Sequence, residues 1–248
     1  MELLPGMSRV RLQISGLTRW RFAARDDEPV LDVGVAWPDV VSRRRVARAL
    51  ALLPAGSFAT AHVPHTVDFA DVLRDLDLRM VLMIRDPRDV AVSSAEYLSM
   101  QRNHALHPHF AGRSRRDRIL DSIVGVAPDG PGSGLRNIAQ RVESVVRWES
   151  EPFVHVTRFE DLVGPGGGGD RGRQLREIRG IAGHLGINCS DSEVATIAGG
   201  VFGGTDTFRS GQIGAWRRHL DDQHVEVAKP LLDQLLVRLG YESGSDWA

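Results

Sequence analysis

Arg85 is the residue with the clearest chemical signal in this sequence of 248 residues. It follows the apolar run LRMVLMI, which predicts a buried strand. Helix capping explains the next acidic and proline positions, Asp86, Pro87 and Asp89. It does not explain Arg85 itself, or Ser93 about two turns along the predicted helix. An arginine fork, a serine hydroxyl and a helix N-terminus together can bind a dianionic phosphate. Capping without any ligand is the alternative.

A second phosphate-binding candidate lies near the C-terminus, in the segment TFRSGQIGAWRRHL. Arg209 supplies a positive charge, and Gly211 after Ser210 lets backbone N–H groups approach an anion. Arg209 on its own would be an ordinary solvated surface residue. We predict that Trp216 is a core anchor and does not contact a ligand.

His62 is the candidate general base. The stretch SFATAHVPH places it at the end of a predicted strand, Ser57–His62, just before Pro64. A neutral imidazole can take a proton from a hydroxyl near neutral pH. A structural role for His62 is the alternative, in which case His65 is the next candidate base.

The elements that must position these residues are short apolar runs separated by amphipathic stretches. The predicted strands are Ser57–His62, Leu78–Ile84 and Pro152–Val156. The predicted helices are Asp39–Leu53, Val67–Leu76, Pro87–Arg102, Arg136–Glu149, Arg173–Leu185 and His224–Leu239. This alternation predicts an α/β fold, with a parallel β-sheet flanked by helices on both faces. In such sheets ligands bind beyond the carboxyl ends of the strands. We expect one domain over residues 1–248.

Two segments interrupt this pattern. The glycine run VGPGGGGDRG, residues 163–172, predicts a flexible surface loop before a helix. Residues 103–115 contain His104, His107 and His109, whose spacing around a proline does not match a zinc site. We interpret that segment as surface or as part of a loop that shapes a substrate pocket.

Composition excludes several classes of protein. Hydrophobic residues make up 42% of the chain, which rules out wholesale disorder. A formal charge of −1 argues against a nucleic-acid binder. No apolar run is long enough to span a bilayer, and no signal peptide is visible. Cys189 is the only cysteine, so no internal disulfide is possible, and we expect a cytoplasmic protein.

The basic residues are almost all arginine. Lys229 is the only lysine among 31 basic residues, which favours a GC-rich bacterial genome. Kinases with the motif G-x-x-x-x-G-K-[ST] need a lysine on the phosphates. Lys229 follows no glycine loop, so that class is excluded.

The segment RDPRDV with Ser93 resembles the 3′-phosphate motif of sulfotransferases, which use 3′-phosphoadenosine 5′-phosphosulfate (PAPS). The C-terminal segment is similar to that family's R-K-G-x-x-G-x-W, with Ser210 in place of the lysine. VHVTRFEDL resembles the strand ending in R-Y-E-D-L, whose aromatic residue lies against adenine; Phe159 takes that position here. Phe202 aligns loosely with the same pocket. For Phe159, a core position is the alternative.

Two further motifs concern the transfer step. TAHVP resembles the family's K-T-H-L-P, which implies that His62 is the catalytic base, although Thr60 replaces the lysine. The family's first loop, P-K/R-S-G-T-T-W, holds the 5′-phosphosulfate. PGMSR lies at about the right distance before His62. In this segment Ser8 and Arg9 would take the places of residues in that loop, and Arg9 would supply its positive charge. A misplaced start of the chain is the alternative.

The resemblance implies the P-loop NTPase-like architecture of sulfotransferases. It also implies transfer of a sulfuryl group from PAPS to a hydroxyl of a small-molecule or carbohydrate acceptor, without a metal, a nucleic acid or a membrane. The alternative is a degenerate relative that binds PAPS or its product 3′-phosphoadenosine 5′-phosphate (PAP) without turnover. The sequence leaves the acceptor and the oligomeric state open.

Overall fold

The computed structural model describes residues 7–9, 23–25, 27–130, 133–203 and 211–247. The chain folds as two compact units. Unit 1 consists of Met1–Ile84 and Val145–Gly211, and unit 2 of Arg85–Ser144 and Gln212–Ala248. The expectation of one domain over residues 1–248 stays a prediction.

The described strands are short and all belong to unit 1. They are β1 (Ser8–Arg9), β2 (Val30–Asp32), β3 (Val40–Ser42), β4 (Ser57–Phe58), β5 (Met80–Ile84) and β6 (Val154–Arg158). β1 pairs with β4 and β5 pairs with β6, both in parallel, whereas β2 and β3 are antiparallel. In the β5–β6 pair, Met80 lies opposite Val154 and Ile84 opposite Arg158.

Helices make up most of the remaining described structure. The α-helices are α1 (Arg43–Ala51), α2 (Val67–Asp75), α3 (Pro87–Met100), α4 (His107–Ala111), α5 (Arg115–Val124), α6 (Ile138–Val146), α7 (Phe159–Leu162), α8 (Arg171–Leu185), α9 (Asp191–Gly200) and α10 (Asp222–Arg238). Short 3₁₀ helices cover Arg147–Ser150, Pro165–Gly167 and Ala215–Arg218. Parallel strands alternating with helices confirm the predicted α/β class. No helix in these described ranges is long and apolar enough to cross a membrane.

The core of unit 1 lies between α8 and α9. Ile178, Ile181 and Ala182 recur every three to four residues on α8, so they form one face of the helix. That face packs against Val194 and Ile197 of α9. α9 begins with a capping box in which Ser190 and Glu193 satisfy each other's backbone N–H groups.

In unit 2, a buried cation organises the packing around the start of α3. The Arg88 side chain is 2% exposed and forms ion pairs with Asp86 at 2.7 Å and Glu242 at 2.6 Å. Its guanidinium carbon lies 4.0 Å from the centre of the Trp216 ring and 4.9 Å from that of Trp247. Such cation–π contacts strengthen when they are removed from water. Trp216 is therefore a core residue, as predicted.

Two sequence-based predictions of local structure were wrong in part. The helix predicted over Asp39–Leu53 begins only at Arg43, because Val40–Ser42 pairs as a strand and Ser42 caps the helix. The glycine run is a surface loop before α8, as predicted, but it is not flexible at Gly167, which is buried and where a Cβ would collide with Val163 and with the Gly211 carbonyl. Only glycine fits so close an approach, so this segment is a tight structural turn.

Candidate functional site

Arg85 directly follows β5, at the carboxyl end of that strand, as predicted. Its side chain is 18% exposed. The Nη2 atom donates a hydrogen bond to the backbone carbonyl of Gln212 at 3.0 Å and lies 3.6 Å from Asp89 Oδ2. Arg85 is thus held against the chain that follows Gly211.

Asp89 binds the backbone of the same C-terminal segment. Its side chain is fully buried. Oδ2 accepts the backbone N–H of Gly214 at 2.8 Å, and Oδ1 accepts that of Trp216 at 2.8 Å. Gly214 has φ +68°, a left-handed conformation that favours glycine. Burial raises the pKa of Asp89, while the two N–H groups and Arg85 oppose that rise.

Side chains of the first predicted phosphate-binding segment, Arg85 and Asp89, therefore hold the backbone of the second. Sequence analysis explained Asp89 as a helix-start residue and missed this role. Arg209 and Ser210 lie outside the described residues, so their contribution stays a prediction. Gly211, which follows them, is described and has φ +56°, again in the left-handed region. This conformation is consistent with a backbone turned to bind an anion.

Ser93 lies on α3 in the same unit as Arg85 and is half-buried. Within the described ranges, its hydroxyl has no hydrogen-bond partner. The next residue, Ser94, differs because its Oγ accepts a hydrogen bond from Arg141 Nη1 at 3.3 Å. Ser93 thus has a hydroxyl available for a ligand.

His62 lies in unit 1, in an irregular segment between β4 and α2. The predicted strand Ser57–His62 was too long, because β4 ends at Phe58. The imidazole reaches solvent, yet the protein around it removes enough water to lower the pKa of His62. Among the residues that the structure describes, none hydrogen-bonds to this ring. A neutral, unengaged imidazole is the form that a general base requires.

Side-chain contacts fix the chain just after His62. Trp148 Nε1 donates to the carbonyl oxygen of Val63 at 3.1 Å. His65 Nε2 lies 2.9 Å from Glu151 Oε1, and Arg74 donates to the other oxygen of that carboxylate at 2.9 Å. His65 is therefore engaged, in contrast to His62.

The predicted adenine-side residues are both half-buried in unit 1. Phe159 begins α7, directly after β6, which ends at Arg158 and so runs two residues past the end of the predicted strand Pro152–Val156. Phe202 packs on the glycine run, because a Cβ added at Gly166 would lie 2.8 Å from its ring. This contact gives Phe202 a packing role, and its role toward adenine stays a prediction.

Ser8 and Arg9 form β1, where sequence analysis predicted a loop. They lie opposite Ser57 and Phe58 of β4. Strand pairing engages their backbone. A role of their side chains toward a 5′-phosphosulfate stays a prediction.

The three histidines of the interrupting segment have separate partners in unit 2. His104 Nδ1 accepts the Leu106 N–H at 3.1 Å, and His107 Nδ1 lies 3.3 Å from the Leu98 carbonyl oxygen. His109 Nε2 lies 2.7 Å from Asp121 Oδ2. In the part of the chain that is described, no group of three His, Cys, Asp or Glu side chains could hold a metal ion.

Comparison with sequence profiles of known families finds no match, and comparison with curated protein sequences finds none either. Comparison of the fold with solved structures does find matches. The fold is that of sulfotransferases, which confirms the predicted architecture.

Two solved structures illustrate the similarity. Mouse sulfotransferase SULT7A1 complexed with PAP matches with a TM-score of 0.56 and 16% identity, over 76% of this chain and 68% of that one. Retinol dehydratase in complex with androsterone and the inactive cofactor PAP matches with a TM-score of 0.53 and 19% identity, over 76% of this chain and 56% of that one. Identities this low show a common fold.

Proposed function

We propose that this chain is a PAPS-dependent sulfotransferase that transfers a sulfuryl group to a hydroxyl of a small-molecule or carbohydrate acceptor. The observation that carries the proposal is the contact of Arg85 and Asp89 with the backbone of Gln212, Gly214 and Trp216. It joins two arginine-bearing segments that match the family's phosphate motifs, on a fold that such enzymes have.

In this proposal, five residues hold the 3′-phosphate of the donor: Arg85, Ser93, Arg209, Ser210 and Gly211. The arginine forks provide paired charged donors, and the serine hydroxyls and the Gly211 backbone add neutral ones. Charge-assisted hydrogen bonds of this kind are about twice as strong as neutral ones.

The remaining donor contacts follow from the rest of unit 1. Phe159 and Phe202 would pack against adenine. Ser8 and Arg9 would approach the 5′-phosphosulfate, with the Arg9 guanidinium stabilising charge on the leaving phosphate. Both retinol dehydratase and SULT7A1 were crystallised with PAP, which supports the choice of nucleotide.

In the transfer step, the acceptor oxygen attacks sulfur while His62 takes the hydroxyl proton. The bond between sulfur and the 5′-phosphate oxygen breaks, and PAP leaves with that electron pair. The low pKa of His62 keeps its imidazole neutral and able to accept the proton. Rigid binding of the nucleotide aligns the three atoms in line, which lowers the entropic part of the barrier.

The test combines a transfer assay with calorimetry. Purified protein is incubated with PAPS labelled in its sulfuryl group and with panels of phenols and sugars, while PAP and ATP are titrated separately. Transfer of label with preferential PAP binding would support the proposal. PAP binding without transfer to any acceptor would support the non-catalytic alternative. Tighter binding of ATP would refute a PAPS site. Cytoplasmic location, the bacterial source and the acceptor stay predictions.

Asp89→Asn is expected to weaken PAP binding by about 10- to 150-fold. An amide can accept only one of the two backbone N–H groups and leaves Arg85 without its carboxylate, a loss on the scale of one hydrogen bond to a charged group, ~1.5–3 kcal/mol. Calorimetry with PAP and with AMP, which lacks the 3′-phosphate, should show the loss for PAP alone. Glu96→Gln is the matched control, because Glu96 lies on the same helix but pairs with Arg115 and Arg118. Equal losses for both nucleotides would mean that Asp89 only stabilises the fold.

A further inference from the structure

Unit 2 contains a second buried arginine, and this one has no acidic partner among the residues that the structure describes. Arg141 on α6 is 9% exposed. Across the described ranges, no carboxylate forms an ion pair with it. Arg88 in the same unit is also buried, but it is paired with Asp86 and Glu242. An unpaired buried charge is costly, so the difference calls for a physical explanation.

The groups that do contact Arg141 are neutral. Nη2 donates to the Ser122 carbonyl at 2.5 Å and lies 3.4 Å from Ser122 Oγ. Nη1 donates to Ser94 Oγ at 3.3 Å. The Ser122 carbonyl belongs to the last turn of α5, whose end carries only about half a negative charge. This helix end therefore compensates part of the guanidinium charge.

Counting donors and acceptors shows what this cluster lacks. Arg141 Nε is buried and has no hydrogen-bond partner. The Ser94 and Ser122 hydroxyls accept hydrogen bonds from Arg141, so each keeps a proton to donate. No acceptor among the described residues takes either proton. The cluster thus presents a cation and several donors but no anion.

The pKa values of the two buried arginines agree with this count of donors and acceptors. Burial lowers the pKa of Arg141 to about 10. The pKa of Arg88 is instead raised, because hydrogen bonds and charge from Asp86 and Glu242 outweigh its burial. An anion beside Arg141 would compensate it as those carboxylates compensate Arg88. Ser94 is only half-buried, so the Ser94 side of the cluster is the side nearest to solvent.

We propose that Arg141, Ser94 and Ser122 form an anion-binding site for a single carboxylate or sulfate group. A bidentate guanidinium and two hydroxyls suit the oxygens of such a group.

The anion site is tested without turnover. Sodium sulfate and sodium acetate are titrated by calorimetry into the full chain, against sodium chloride at matched ionic strength. Saturable binding that weakens at least tenfold in Arg141→Gln and in Ser94→Ala supports the site, and whichever anion binds tighter identifies the group. Absence of saturable binding, or equal affinity in these variants, overturns it.

Two further variants keep the result decisive. Arg85→Gln is the control for the predicted 3′-phosphate site: binding lost in Arg85→Gln but kept in Arg141→Gln would overturn the proposal. If Arg141→Gln does not fold, Ser94→Ala decides, because it removes only a half-buried hydroxyl. Arg141→Lys should retain part of the binding, since it keeps the charge but loses the fork.

Discussion

His62→Ala is expected to reduce the rate of sulfuryl transfer by at least ~100-fold, the usual contribution of a positioned general base. The affinity for PAP should stay within twofold, because His62 acts on the acceptor hydroxyl and not on the nucleotide. Single-turnover transfer from labelled PAPS and calorimetry with PAP measure the two effects. His65→Gln is the matched control, since glutamine can keep the hydrogen bond to Glu151. Turnover retained in His62→Ala would assign the base elsewhere.

The pH dependence of transfer provides an independent check on His62. Burial lowers its pKa below the ordinary 6.5, so the neutral base persists below that pH. The midpoint of the decline in rate with falling pH should therefore lie below pH 6.5. A decline centred above pH 6.5 would contradict the proposed environment of the imidazole.

Arg85→Ala is expected to weaken PAP binding by ~1.5–3 kcal/mol, or about 10- to 150-fold, the scale of a hydrogen bond to a charged group. AMP should bind with nearly unchanged affinity, because it has no 3′-phosphate. Arg79→Ala is the matched control, since Arg79 precedes β5 and bonds to the His184 carbonyl. An unchanged dissociation constant for PAP would remove Arg85 from the phosphate site.

Local sequence patterns predicted much of the fold. The apolar run before Arg85 became β5, and Asp86 and Pro87 begin α3 as expected, because these signals act over a few neighbouring residues. The start of α1 was missed because Val40–Ser42 pairs with a strand ten residues earlier in the chain. Such pairing depends on a partner strand, which a helical periodicity does not show.

The candidate site was predicted as two separate motifs, and the sequence did not show how they are joined. Arg85, Arg209 and Gly211 were singled out by type and spacing. Asp89, which links the two motifs, matched an ordinary helix-start residue, and its true partners lie 125 and 127 residues away. Local propensities carry no information about partners at that distance, so only the fold could reveal this role.

The separation of Asp89 and Gly214 along the chain also bears on how the protein folds. Closing a loop of 125 residues costs far more chain entropy than forming α3, whose hydrogen bonds are local. We expect this contact to form late, after the helices have assembled. Interactions absent from the folding transition state act mainly on the unfolding rate. Nucleotide bound through Arg85 should therefore prolong the lifetime of the native protein without accelerating its refolding.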